Sequence, residues 1–131
     1  MALSRDDLLA PILRDVAACA HLAVRVEHEQ DTPGWSEPWS MLWTPDGAGT
    51  GIWFGDQQDQ QGLDHRPWRV ADAVHEAVVE GLWSAGRSTA WPPCPKHPDT
   101  HPLEVGVQAG RIVWACPTSG DRVAEVGSLT C

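Results

Sequence analysis

The 131-residue chain has no tyrosine, a single phenylalanine and a single lysine, and only nine basic side chains against eighteen acidic ones. Nowhere do the basic residues form a stripe, so the counterion-release term that drives nucleic-acid binding is missing. The same shortage disfavours anionic membrane surfaces. No uninterrupted apolar run approaches the roughly 20 residues needed to span a bilayer. The first residues, Met1-Ala-Leu-Ser-Arg-Asp-Asp7, lack the basic start and apolar core of a secretory signal. Cytoplasm is the expected compartment. Four cysteines in such a setting point to metal or free thiols sooner than to disulfides.

What is present suits one globular domain, with 42% apolar and 21% charged residues over a length able to bury a core. The net charge of −9 is concentrated in residues 1–90, which hold 6 basic and 14 acidic side chains. Such a surface keeps a small protein soluble and leaves room for a basic partner. Eight tryptophans supply nearly all the aromatic content, and Trp35, Trp39 and Trp43 fall close together.

The periodicity changes several times along the chain. Ser4 followed by Asp6 and Asp7 reads as a capped helix start. Leu8, Leu9, Ile12, Leu13, Val16 and Ala20 then carry an apolar face through about Ala20. Pro11 requires that helix to kink or to begin there. Leu22 to Glu29 alternates as a half-buried strand. Trp39, Met41 and Trp43 alternate in a second, the Thr44-Pro-Asp-Gly47 turn reverses the chain, and Gly51 to Gly55 returns as a third. A helix is predicted over Pro67–Ala85, with Val70, Val74, Ala77, Val78, Gly81, Leu82 and Ala85 as its stripe and Gly86 as its cap. Trp68 and Trp83 flank that stripe and are expected to pack against the sheet.

After Ser88 the composition shifts. Prolines at 92, 93, 95, 98 and 102 exclude a helix or central strand. Leu103–Gln108 and Arg111–Ala115 alternate around Ala109-Gly110 as a hairpin, Cys116-Pro-Thr-Ser-Gly120 is a second tight turn, and Arg122–Val126 can add a strand.

The chemistry-bearing residues lie in this region. Cys94-Pro-Lys-His97 lets one turn aim two ligands at one ion, leaving the turn's amides free to bond the thiolate. The hairpin brings Cys116 back to where the chain started, and His101 lies four residues beyond His97 in a loop able to fold over the site. Cys94, His97, His101 and Cys116 are therefore the expected ligands of one zinc ion. Four protein ligands leave no position for water, so the site is expected to be structural.

These residues, about 91–127, resemble a zinc ribbon, whose two Cys-Pro-x-Cys-Gly knuckles flank a β-hairpin. His97 stands where the family commonly has Cys, which zinc accepts. Ser119 stands where it has its fourth Cys, and a hydroxyl is a poor zinc ligand, so that position is not carried over. Trp91-Pro-Pro-Cys-Pro and Val113-Trp-Ala-Cys-Pro117 also give the chain the look of small actinobacterial proteins, a similarity that implies no activity.

Other chemistries fail on spacing. His75-Glu76 lacks the second His of His-Glu-x-x-His, since Val79 occupies that position. Pro93-Cys-Pro-Lys-His97 matches half a nucleobase-deaminase signature without the His-x-Glu half. Gly47, Gly49, Gly51 and Gly55 lack the strand-glycine-helix order of a dinucleotide site. Among Glu27, His28 and Glu29, His28 shares the parity of Val24 and Val26 and is expected to be partly buried. Cys19 is expected to be a buried thiol and Cys131 a free one.

The expected fold is therefore α+β in a single domain, with an α+β body over residues 1–88 and a zinc-ribbon-like subdomain over 89–131. The expected function is non-enzymatic: an adaptor-, regulator- or immunity-like protein meeting another protein through an acidic surface bearing Trp35, Trp39 and Trp43. Two alternatives stand beside it. One is a metal-dependent enzyme in which His101 points away and Glu104 or Asp99 serves as base; the other is a small-molecule-binding module using the sheet face under the second helix.

Overall fold

A computed structural model of the chain describes residues 4–28, 39–54 and 64–131. Helix α1 (Arg5–Asp15) runs into a π-helical turn (Val16–Ala20), followed by strands β1 (Arg25–His28), β2 (Trp39–Trp43) and β3 (Gly49–Trp53). Helix α2 (Arg66–Ser84) leads to β4 (Glu104–Gln108), β5 (Arg111–Ala115) and β6 (Arg122–Glu125). The strands form two antiparallel meanders, β1-β2-β3 and β4-β5-β6. The class is α+β.

Helix α1 begins in a capping box: the Asp7 amide donates to Ser4 Oγ at 3.0 Å, and the Ser4 amide donates to Asp7 Oδ2 at 3.1 Å. Pro11 neither starts nor breaks it, for the helix runs from Arg5 through that residue. The first turn docks on the first meander. Arg5 donates to the Trp39 carbonyl, and His28 bridges Ser40 Oγ and Asp6 Oδ1, each at 2.7 Å. His28 is thus more exposed than its parity implied, yet fully engaged.

Ser40, Leu42 and Ile52 point inward, while Trp39, Met41, Trp43 and Trp53 share the opposite face with Gly49 and Gly51. Trp39 stacks on Trp53 with centroids 6.1 Å apart, and the Arg25 guanidinium lies over the Trp43 ring. A Cβ at Gly49 would come within 2.7 Å of the Trp43 ring, so only glycine lets that indole lie flat across β3. Trp35, expected in this cluster, lies outside the described residues.

Helix α2 buries Val70, Ala71, Val74, Ala77, Val78, Gly81 and Leu82. Its end is a Schellman motif: the Gly86 amide donates to the Trp83 carbonyl and the Arg87 amide to the Leu82 carbonyl, with Gly86 at φ +69°. Ala85 caps the helix and is exposed, so the buried stripe ends at Leu82. The expected packing of Trp83 on the sheet does not occur. Trp83 is 74% exposed and Trp68 36%, because helical phase puts both on the side away from Val74 and Gly81. The Arg87 side chain donates to the carbonyls of Ala20 and His21, clamping the two helix ends together.

The deepest connection runs through Asp15, whose side chain is fully buried. Trp114 Nε1 donates to it at 2.8 Å, the Gly127 amide at 2.7 Å, the Leu129 amide at 3.1 Å and Arg14 at 2.9 Å. Gly127, at φ +102°, passes tightly against Pro11 on its way there. The buried side chains from α1, both meanders, α2 and the C-terminal segment form one contiguous cluster.

The cysteine expectation is corrected in half. Cys19 and Cys131 form a disulfide with Cα atoms 5.6 Å apart across a sequence separation of 112. Cys131 is not a free thiol, and Cys19 is only partly buried. The pairing is possible because Asp15 and Arg14, which donates to the Leu129 carbonyl at 2.7 Å, draw the C-terminal segment alongside the end of α1. With that bond present, the cysteine count no longer argues for a reducing compartment. No helix among the described residues is long and apolar enough to cross a membrane.

Replacing Asp15 by Ala leaves three interior N–H groups without an acceptor. We expect a loss of about 3–5 kcal/mol in urea unfolding, with Asp15→Asn retaining part of it; an Asp15→Ala midpoint equal to that of the parent would show the hub to be unimportant.

Candidate metal centre

The site is assembled from two turns on either side of the second hairpin. The first is closed by the His97 amide donating to the Cys94 carbonyl at 3.1 Å, and the loop beyond it by the Thr100 amide donating to the His97 carbonyl. At its base the Leu103 amide donates to the Pro92 carbonyl at 2.7 Å, and Pro93 bridges to Pro102. These bonds fold 94–101 into a compact loop despite its prolines, because the prolines occupy positions that need no donor. The second turn is closed by the Gly120 amide to the Cys116 carbonyl at 2.7 Å and by the Cys116 amide to the Asp121 carbonyl at 2.9 Å. Gly120 there takes φ +77°. Lys96 and Asp121 pair at 2.7 Å from one turn to the other.

Between the turns, one ligand atom from each of Cys94, His97, His101 and Cys116 lies within 4.8 Å of all the others. His97 Nδ1 stands 3.6 Å from Cys94 Sγ and 3.7 Å from Cys116 Sγ, and His101 Nε2 stands 3.9 Å from Cys116 Sγ. For Zn–S of about 2.3 Å and Zn–N of about 2.05 Å, tetrahedral angles separate a sulfur from a nitrogen by about 3.6 Å. These sulfur–nitrogen separations lie near that value, so the cluster could hold a metal ion. All four residues expected from the sequence are brought together. The two thiols are buried and the two imidazoles half-buried.

The surrounding groups orient these ligands. His101 Nδ1 donates to the Pro102 carbonyl at 3.1 Å, which leaves the Nε2 lone pair facing the cluster, where the Thr118 hydroxyl reaches it at 3.2 Å. Cys116 is pulled down from its ordinary value to about 6, first by the Ser119 hydroxyl and amide and then by the Thr118 amide. Ser119, rejected as a ligand, thus serves the thiolate as a donor. An open site in which His101 turns away, the premise of the enzymatic alternative, does not match this placement of Nε2.

Sequence reasoning missed the groups that hold the two turns together from beneath. Trp91 and Trp114 meet edge to face at 5.6 Å, and His75 of α2 packs against both, donating from Nε2 to the Trp91 carbonyl at 2.8 Å. Trp91 precedes Cys94 by three residues and Trp114 precedes Cys116 by two, so this trio fixes the base of each arm. Asp15, which anchors Trp114, could have been found: an Asp on the same helical face as Leu8 and Ile12 demands a buried partner.

Burial holds the His75 ring below its ordinary titration range, the Trp91 bond only partly opposing this. A group depressed in the folded state is protonated more readily in the unfolded chain, so stability is complete above about pH 6.5 and declines as pH falls below it. His75→Gln, which keeps a donor for Trp91, is expected to lose less stability than the parent between pH 7 and pH 5 in urea titrations. Equal slopes would show that His75 does not contribute.

Compared with known protein families, curated proteins and solved structures, the chain matches none, so the metal centre rests on its own geometry.

Proposed function

We propose that the chain is a zinc-binding, non-enzymatic interaction module in which Cys94, His97, His101 and Cys116 hold one structural Zn²⁺. The observation that carries this reading is the mutual approach of those four ligand atoms to within 4.8 Å. Two thiolates and two imidazoles are the donor set zinc prefers in closed tetrahedral sites. The ion's work is to join the Pro-rich loop to the end of β5, in the manner of the zinc-ribbon knuckles these turns resemble. A filled shell leaves no position at which water could be activated, which favours a structural over a catalytic role.

The contact surface we propose is the outer face of the first meander. Trp39 and Trp43 are half-exposed and Trp53 is 43% exposed, and Trp is favoured at interface hot spots. A protein partner is the reading best served by this face and by a net charge of −9.

Elemental analysis of protein prepared without chelator should give one zinc per chain. Cys116→Ser should abolish it, and chelation should lower the Tm. Metal-free material of unchanged Tm would overturn the structural-zinc reading. For the surface, Trp53→Ala should remove a specific co-purifying partner while the protein stays folded by circular dichroism; retention of that partner by the folded variant would move the interface elsewhere.

A further inference from the structure

The metal cluster holds two thiols whose sulfurs are themselves within 4.8 Å of each other. They lie on opposite turns, so any bond between them joins the same two segments that the ion joins. The remaining pair, Cys19 and Cys131, is already a disulfide, so cysteine oxidation is compatible with this fold. Both cluster thiols are buried, but the imidazole side is half-open, with His97 and His101 half-exposed and Thr118 exposed. Of the four ligand residues only the imidazoles reach solvent, so a small oxidant would have to enter on their side.

Building on the zinc reading, we propose that the cluster is a redox-exchangeable crosslink: hydrogen peroxide converts Cys94 and Cys116 into a disulfide, which expels the ion while the two turns stay joined. One thiolate attacks a peroxide oxygen, forming an S–O bond as the O–O bond breaks and hydroxide leaves. The second thiolate attacks that sulfur, forming the S–S bond and displacing a second hydroxide. Two protons from solvent turn the hydroxides into water, and the two electrons lost by the sulfurs reduce the peroxide. A disulfide sulfur carries no charge, so the site falls from four ligands to two imidazoles and cannot retain the ion. Released from the ion, the His101 Nε2 lone pair can accept from the Thr118 hydroxyl, which lies 3.2 Å away. The hairpin stays anchored because the Leu103–Pro92 bond and the Trp91–Trp114 contact lie outside the exchange.

The test titrates zinc-loaded, full-length protein with hydrogen peroxide, reading zinc release with a chromophoric chelator and cysteine pairing by peptide mapping. One zinc released per Cys94–Cys116 disulfide is expected. The oxidised, metal-free form should melt near the zinc form and well above the chelated, reduced form. A Cys19→Ser, Cys131→Ser double variant should behave alike, and dithiothreitol should restore its zinc binding. Sulfinic acid in place of a disulfide, pairing of Cys94 or Cys116 with Cys19 or Cys131, or zinc retained at several equivalents of peroxide would overturn the exchange alone. Failure of the reduced protein to take up zinc at all would overturn the metal reading, and the exchange with it.

Discussion

A buried carboxyl group organises this molecule. Asp15 ends α1 inside the protein and accepts from an indole of β5 and from two amides of the C-terminal segment. Burying such a group without partners is prohibitive, so its donors are obligatory rather than incidental. Satisfying them forces α1, β5 and the chain end into one place. The Cys19–Cys131 disulfide then closes a contact that the hydrogen bonds have already set, and glycine is favoured at 127 because φ is +102° there and a Cβ would press on Pro11 at 3.0 Å.

The candidate metal site is downstream of that constraint. Asp15 holds the Trp114 ring, Trp114 and His75 hold Trp91, and the two tryptophans stand immediately before the turns that carry Cys116 and Cys94. A four-ligand site tolerates little error in placement, since each ligand has a fixed bond length and angle. Pre-positioning by packing limits the ordering that an ion must impose, in contrast to small fingers that fold only with their metal. Lys96–Asp121 adds an exposed pair between the turns, which contributes little by itself but agrees with the same register.

The first meander follows a different logic. The outer face of the first meander is cleared by glycines, so that indoles lie across β3 instead of standing away from it. That arrangement leaves partly exposed indoles side by side on one face of the sheet. Metal centre and aromatic face thus use different chemistry on the two meanders, with α2 contacting a strand of each.

Much of this was legible in the chain itself because it is governed by neighbours in sequence. The Ser4 cap, the stripe of α2, the Thr44–Gly47 turn and the Cys94–His97 and Cys116–Gly120 turns all depend on side chains within a few positions of one another. Convergence of the four ligands was also readable, since a short hairpin returns to its origin. Residues paired across about a hundred positions were not readable: Asp15 with Trp114, and Cys19 with Cys131. Neither the direction in which Trp83 points nor the support His75 gives to Trp91 follows from local pattern, because each is decided by which surfaces the packed elements leave over. Local preference chose the elements, and the need to satisfy buried polar groups chose their arrangement.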